Sequence, residues 1–351
     1  MKIGILTWFF GNNYGAKAHS YALQEVIKSM GHTVQMIAYY PRKTFVTNIR
    51  MNLNTPHIGH HPIIGAQCLL RCKRFNDWTK NHYNITKRVC TAEEIDSLGF
   101  DLIIVGSDEV FNYMHPLFDT IYYGKGLKTR LVAYAPSSGQ ANYKKIFDNE
   151  IKNSLSYNFK LLSARDQYTK QLIQNNVDRA VQEVLDPTFL YQFKMEVDPF
   201  EKEKQYLLIY SFDTWDIYRD HLRKFASAHN LKIISVGRHC SWADVSFTAA
   251  SVYDWLSSFR HAKFIFTDSF HGVVFAIKNQ KQFMIVSRQD KINKINDVIT
   301  TVGIKRDFYN GMITMEEYYS NKIDYRSINQ KLEKLRKQSI SYLEYALGGS
   351  E

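Results

Sequence analysis

Short apolar runs recur along this chain, each followed by a polar turn and then by a segment of helical periodicity. No other feature narrows the possible folds as much. KIGILTWFF opens the series, GNNYG interrupts it, and AKAHSYALQEVIKSM follows with Ala18, Tyr21, Ala22, Glu25 and Val26 on one face. Gly31 stands where a helix C-cap would end that segment, and TVQMIAYY is a second strand. A β-loop-α-β opening of this kind requires a parallel sheet with right-handed crossovers. DLIIVGS and RLVAYAPSSG continue as strands, YKKIFDNEIKNSLSYNF as a helix, LLSARD as a strand and YTKQLIQNNV as a helix, with VQEVLDPTFL closing this half.

The charged stretch MEVDPFEKEKQ is a linker, and a second series follows it. QYLLIYSF, LKIISVG, KFIFTDS and QFMIVS are its strands; YRDHLRKFASAHN, SVYDWLSSFRHA and HGVVFAIKNQ are its helices. SINQKLEKLRKQSISYLEYALG predicts a long amphipathic tail helix. At roughly 150 residues per domain, 351 residues suit two domains. The expected fold is α/β, with two Rossmann-like domains facing a cleft over residues 1–190 and 200–320. Residues 321–351 are expected to form a helix packing back across them. Residues 42–90 break the rhythm. They are basic and aromatic, and Ile64, Cys68, Cys72 and Phe75 share a helix stripe beside Arg71, Lys73 and Arg74, which marks a basic helical insertion.

No apolar run reaches the roughly 18 residues of a membrane span, and MKIGILTWFF lacks a signal-peptide cleavage site. Cys68, Cys72, Cys90 and Cys240 form no CxxC pair, which argues against a disulfide framework and for a reducing cytoplasm. The formal net charge of +11 fits nucleic acid, an anionic small substrate or an anionic membrane surface. No nucleic-acid motif is present and the basic residues are dispersed, so nucleic acid is not an expected partner. His57, His60 and His61 lie among Pro56, Gly59 and Pro62, a loop rather than a helical ligand set, and no metal site is expected.

Ligands of doubly wound sheets bind at the carboxyl ends of strands, and the polar oddities of this chain fall there. In GNNYG, Asn13, Tyr14 and Gly15 precede a helix whose free N–H groups favour anions, though an ordinary βα turn reads as well. In VGSDEVFN, Ser107, Asp108 and Glu109 put a hydroxyl and two carboxylates at a strand end, as sugar-binding groups or as a helix cap. Arg165 follows a strand directly and suits a carboxylate or phosphate, or a surface ion pair with Asp166. In FIFTDSFHGVVFAI, Asp268, Ser269, His271 and Gly272 interrupt an apolar run where a strand gives way to a helix. An imidazole there serves as general acid or base, or the cluster only caps the helix.

NYGAKAHSYALQ, VGSDEVFN, VAYAPSSG, LLSARD, LDPTFL and TDSFHGVVFAI occur in this order, and the series resembles the bacterial polysaccharide pyruvyl transferase family from residue 2 to about residue 345. The chain departs from the family pattern at three places. Ala18-His19 stand for a Leu-Gln pair, Glu109 and Phe111 for Gln and Trp, and Ser269-Phe270 for the Arg-Leu that precedes His-Gly. The resemblance implies a GT-B-like fold and transfer of a pyruvyl group from phosphoenolpyruvate to a sugar, giving a cyclic ketal and phosphate. It implies His271 as the catalytic histidine. Arg165, the Asn13–Gly15 loop and the Ser269–Gly272 turn then form an anion cradle, Asp108 and Glu109 hold sugar hydroxyls, and no metal or organic cofactor is needed. Arg288 or Arg306 would replace the cation absent at Ser269. The implied acceptor is a sugar, often linked to a polyprenyl diphosphate at the inner membrane face, with the basic stretch 63–80 as a peripheral membrane contact or as a helix packed on its own domain. A nucleotide-sugar glycosyltransferase of the same architecture is the alternative function, and a non-catalytic sugar-binding relative is the third.

Overall fold

The computed structural model describes residues 1–41, 47, 62–195, 198–203, 205–212, 214–286 and 292–348. His57, His60, His61 and Arg288 lie outside the described residues. The chain forms two compact units, each built on one parallel sheet.

The first unit carries strands β1 (Lys2–Leu6), β2 (Thr33–Met36), β3 (Leu102–Val105), β4 (Leu131–Ala133), β5 (Phe159–Ala164) and β6 (Val181–Glu183). Their order is β2-β1-β3-β4-β5-β6 and every pairing is parallel. Strands buried on both faces read as unbroken apolar runs, and β3 is one, with all four residues buried. The order reverses direction between β1 and β3, so the switch point of this sheet lies between their carboxyl ends.

The second unit carries β7 (Tyr206–Tyr210), β8 (Lys232–Val236), β9 (Val245–Phe247), β10 (Phe264–Thr267) and β11 (Gln282–Ile285) in the order β11-β10-β7-β8-β9, again all parallel. Its switch point lies between β7 and β10. FIFT of the interrupted apolar stretch is β10, and helix Phe270–Lys278 begins after it. The apolar halves on either side of the turn are therefore a central strand and a buried helix, and the polar residues mark the crossover between them.

Two long helices supply residues to both units. Of helix Pro62–His82, the part up to Trp78 belongs to the second unit and the rest to the first. Cys68, Phe75 and Trp78 are buried, Trp78 packs edge-on to Tyr253 at 4.9 Å, and Arg74 donates to the Ala249 carbonyl at 2.7 Å and pairs with Asp254 at 3.1 Å. The sequence reading placed this helix in an insertion of the N-terminal domain; its buried face instead completes the second unit. Helix Tyr325–Ala346 is the expected tail helix, and from Leu332 onward it clusters with the first unit. There the Tyr342 hydroxyl donates to the Ala133 carbonyl at 2.7 Å, and Ser339 accepts from the Leu185 N–H at 2.9 Å.

The helix expected over 143–159 is only Asn149–Asn153, followed by a wide π turn at Ser154–Asn158. Asn175 and Asn176 are the reason. Their side chains bond the carbonyls of Tyr143 and Lys145 at 3.0 and 2.8 Å and the Phe147 N–H at 2.7 Å, holding that backbone out of the helix until Asp148 caps the short one. Side chains of this type compete with the helical ladder for backbone groups. The short edge strand β9 and helices Ile292–Val302 and Met315–Ser320 were not anticipated.

Close backbone approach fixes one residue of the β10 turn. A Cβ on Gly272 would sit 2.0 Å from Thr267 Oγ1 and 3.1 Å from Tyr210 Cδ1. Thr267 Oγ1 cannot simply rotate away, because it accepts the Ser269 N–H at 3.2 Å. Gly272→Ala is expected to destabilise the protein by about 1–3 kcal/mol, the range for overpacking. Thr267→Ala in the same chain should recover part of the loss, with denaturant midpoints as the measure.

Candidate active site

The β10 turn is built around a carboxylate. Asp268 is fully buried; it accepts from the Ser211 hydroxyl at 2.7 Å, the Thr214 hydroxyl at 3.0 Å and the Phe212 N–H at 3.0 Å. Those partners lie directly beyond β7, so Asp268 fastens the β7 loop to the end of β10 across the switch point. Ser269 is the N-cap, its hydroxyl accepting from the Gly272 N–H at 3.3 Å. His271 stands in the first turn of the helix, 8% exposed, with the Phe270 ring edge-on at 5.1 Å. An imidazole at the rim of a buried turn, beside the positive end of a helix, can move a proton next to an anion.

The carboxyl ends of the first sheet hold a different network. The His19 ring bonds the Ser107 hydroxyl through Nδ1 at 2.8 Å and stands 3.4 Å from Asp108 through Nε2. Thr7 donates to the Ser107 carbonyl at 2.9 Å. Arg165 bridges Asp108 at 3.3 Å and Asp186 at 3.0 Å, and Asp186 also accepts from the N–H and hydroxyl of Thr188. Asp108 sits at φ 69, ψ −166, a backbone region costing on the order of 1–3 kcal/mol for a side chain. Its backbone is held there by the Ser137 N–H, which donates to the Asp108 carbonyl at 2.7 Å. Burial opposes the charge on Arg165, but Asp108, Asp186 and Asp166 outweigh it and hold the guanidinium protonated.

The polysaccharide pyruvyl transferase family model matches residues 13–290, most of the chain and both of these strand-end clusters. The chain belongs to this family. Solved structures of similar fold include a putative UDP-N-acetylglucosamine 2-epimerase from Listeria monocytogenes, with 9% identity, a TM-score of 0.57 and coverage of 100% of this chain and 97% of that one. The S. aureus MnaA–UDP co-structure is 11% identical at a TM-score of 0.54, covering 99% and 96%. The glycotransferase of kitacinnamycin is 11% identical at 0.52, covering 98% of each chain. At such identities the likeness is one of fold, and it agrees with the GT-B-like class expected from the strand series. No curated protein sequence matches the chain.

As a polysaccharide pyruvyl transferase family member, the chain puts its expected site residues to unequal uses. Asn13 caps helix Tyr14–Ser29 by accepting from the Ala16 N–H at 3.2 Å, while Tyr14 and Gly15 are buried in its first turn. Asp108 makes no side-chain cap bond; it serves the His19–Arg165 network. Glu109 is nearly buried and accepts from Asn112 at 2.9 Å. Two of the expected substrate-binding residues make bonds within the fold. The Arg165 side chain is 3% exposed and bridges two carboxylates. The Asp268 oxygens accept from the β7 loop.

Arg306 is likewise engaged within the fold. It donates to the Phe283 and Asn321 carbonyls and stacks 4.7 Å from the Tyr318 ring. Among the described residues no cluster of three metal-ligating side chains occurs. His19, Asp186, Ser211 and Thr214 were missed as site residues. His19 left one signal, a polar residue on the apolar face of a helix.

Breaking the Arg165 bridge should be costly, because it strands buried carboxylates. Arg165→Met is expected to lose about 3–5 kcal/mol in equilibrium unfolding, against a small effect for the exposed Arg223→Ala.

A second buried cation, Lys17, donates to the Phe9 carbonyl at 2.6 Å and to Thr79 at 2.5 Å, and burial lowers its pKa to about 7. The unfolded chain therefore binds more protons than the folded one between pH 7 and the ordinary lysine value of 10.5. Stability from this group rises with pH through that window and is flat below it. The wild type should gain on the order of 2 kcal/mol between pH 7 and pH 9 relative to Lys17→Met, read from urea unfolding at each pH.

Proposed function

We propose that the protein transfers the pyruvyl group of phosphoenolpyruvate to two hydroxyls of a sugar in a bacterial surface polysaccharide or its lipid-linked precursor. The product is a cyclic ketal and phosphate leaves. Family membership over residues 13–290, with His271 at the lip of the β10 turn, carries this reading.

The reaction needs two proton movements. Two sugar hydroxyls add to the central carbon of the donor, and each gives up a proton. One proton goes to the enol methylene, which becomes a methyl group, and the other leaves with phosphate as the C–O bond to phosphorus breaks away from the carbon. In this reading His271 takes or gives one of them, and the N-terminus of helix Phe270–Lys278 favours the donor's negative charge. The two strand-end clusters differ in a way that supports a division of labour. Asp108 and Glu109 give the first one carboxylates at the end of β3, a residue type suited to sugar hydroxyls. The second offers a histidine and a helix N-terminus.

A lipid-linked acceptor would place the work at the cytoplasmic membrane face. Among the described residues no helix is long and apolar enough to cross a membrane. Peripheral contact is supported by helix Pro62–His82, where Ile63, Leu69 and Leu70 are exposed alongside Lys73. An exposed apolar face of this kind suits a membrane interface.

Phosphate release from phosphoenolpyruvate with a panel of galactose-, mannose- and N-acetylmannosamine-containing acceptors tests the reading. His271→Ala is expected to lower kcat by about 10²–10⁴-fold, the range for general acid–base catalysis, while thermal stability changes little. Absence of phosphate release with every acceptor, together with stabilisation by nucleoside diphosphates and none by phosphoenolpyruvate, would favour a nucleotide-sugar glycosyltransferase.

A further inference from the structure

A fully buried lysine is rare, and it ordinarily has a carboxylate beside it. Lys17 is 1% exposed and has neutral partners instead. Its side chain reaches from helix Tyr14–Ser29 to the Phe9 carbonyl at 2.6 Å and to the Thr79 hydroxyl at 2.5 Å. The titratable group facing it is the Tyr83 phenol, whose ring lies 5.8 Å from Nζ and whose hydroxyl donates to the Lys17 carbonyl at 2.9 Å. His19, Glu25 and Lys28 share its helix, and Asp77, Lys80 and His82 stand near Thr79 at the end of helix Pro62–His82. Among the described residues none of these pairs with Lys17. β2 and the segment Pro187–Phe189, packed on the same helix, carry no charge.

What Lys17 holds is the connection from β1 to its own helix, where residues 8–13 form neither helix nor strand. Thr7 ties the start of this connection to the Ser107 carbonyl at 2.9 Å, and Asn13 ends it as the helix cap. Between them the Phe10 ring meets those of Phe9 at 4.0 Å and Tyr40 at 4.5 Å. Lys17 grips the segment twice. Its N–H donates to the Asn13 carbonyl at 3.1 Å, and its amine reaches Phe9, eight residues back. The bond to Thr79 fixes the same segment against the last turn of helix Pro62–His82. β1 and β3 are paired as far as Leu6 and Val105, so the pinned connection borders Ser107 and Asp108.

Lacking a counter-ion, this anchor is sensitive to protons. Burial disfavours the ammonium and brings the Lys17 pKa down to about 7. When the connection lifts, the side chain enters water and regains the ordinary lysine value of 10.5. The lifted form therefore binds the additional proton. Lifting becomes easier as pH falls from 10.5 toward 7 and is level below that.

We infer that Lys17 is a latch on the Phe9–Asn13 connection, and that protons favour a local opening in which this connection lifts from the carboxyl end of β1. Lys17 is a positioning residue in this scheme: it acts through the Phe9 carbonyl on the segment beside Ser107 and Asp108. The inference does not rest on pyruvyl transfer.

The test is proteolysis of the native full-length protein by chymotrypsin, which cuts after Phe9 and Phe10 only when the connection is open. Cleavage there is identified by mass, and its rate is divided by that of a free peptide of residues 7–16 to remove the protease's own pH dependence. Such a ratio follows the population of the open form. In wild type it should fall about fiftyfold between pH 7 and pH 9 and change by less than about threefold between pH 6 and pH 7. Lys17→Met, which keeps the bulk and loses the charge, should show no such fall. Below roughly 1 M urea the wild-type rate should hardly change, as for a local opening that exposes little surface. Should Lys17→Met fail to fold, the wild-type pH and urea series decide alone. A flat wild-type ratio from pH 7 to pH 9, the same fall in Lys17→Met, or a urea slope equal to that of global unfolding would overturn the inference. No cleavage at Phe9 or Phe10 at pH 7 would overturn it as well.

Discussion

The buried carboxylate of Asp268 is the constraint on which the second unit's chemistry rests. A charge taken from water is tolerated only when fully hydrogen-bonded, and Asp268 meets that condition with two hydroxyls and a backbone N–H from the loop beyond β7. Fixing that loop fixes Phe212, and the same peptide segment sets the start of helix Phe270–Lys278 through its neighbour Ser269. The first unit uses a parallel device with the signs arranged differently. There Arg165 is the centre, between Asp108 and Asp186, and it holds a carboxylate-bearing residue in an unusual backbone conformation. In both units a strand ends in a charged group that makes bonds within the fold.

Much of this organisation was legible in the sequence. The strand series, the two sheets, the tail helix and the position of His271 at a strand-to-helix crossover follow from periodicity and from where polar residues interrupt apolar runs. These are local signals, and the structure realises them locally. What the sequence leaves open has a common cause. Arg165 and Asp268 are charged residues at strand ends, which is equally the pattern of a ligand-binding group and of a buried anchor. Only the partners decide, and the partners lie 21 and 57 residues away in the chain for Arg165, and 54 to 57 away for Asp268. The shortened helix at Asn149–Asn153 fails for the same reason, since the asparagines that displace it lie on a different segment.

The basic excursion between β2 and β3 illustrates how charge is shared between scaffold and surface. Arg71 and Arg74 bond carbonyls that follow β8 and β9, while Lys73 faces outward beside Leu69 and Leu70. A helix stripe read from Ile64, Cys68, Cys72 and Phe75 identified the buried face, with Cys68 and Phe75 at its centre. What it could not say was which sheet that face would cover. Net charge is similarly ambiguous: part of the excess of +11 is tied up in carbonyl and ring contacts, as at Arg74 and Arg306.

The routing of the chain has a consequence for how such a protein is made and dissected. Residues up to Trp78 of helix Pro62–His82 belong to the second unit although most of that unit begins at Lys194, and the chain from Leu332 onward belongs to the first. Neither unit is a continuous stretch of sequence. A ribosome that has delivered the first 190 residues has delivered a helix whose apolar stripe has no sheet to cover yet, and a first sheet still lacking Tyr342 and Ser339. Cutting at the polar linker would therefore separate each half from part of its own core, and the two halves are better regarded as one cooperative folding problem than as modules to be exchanged.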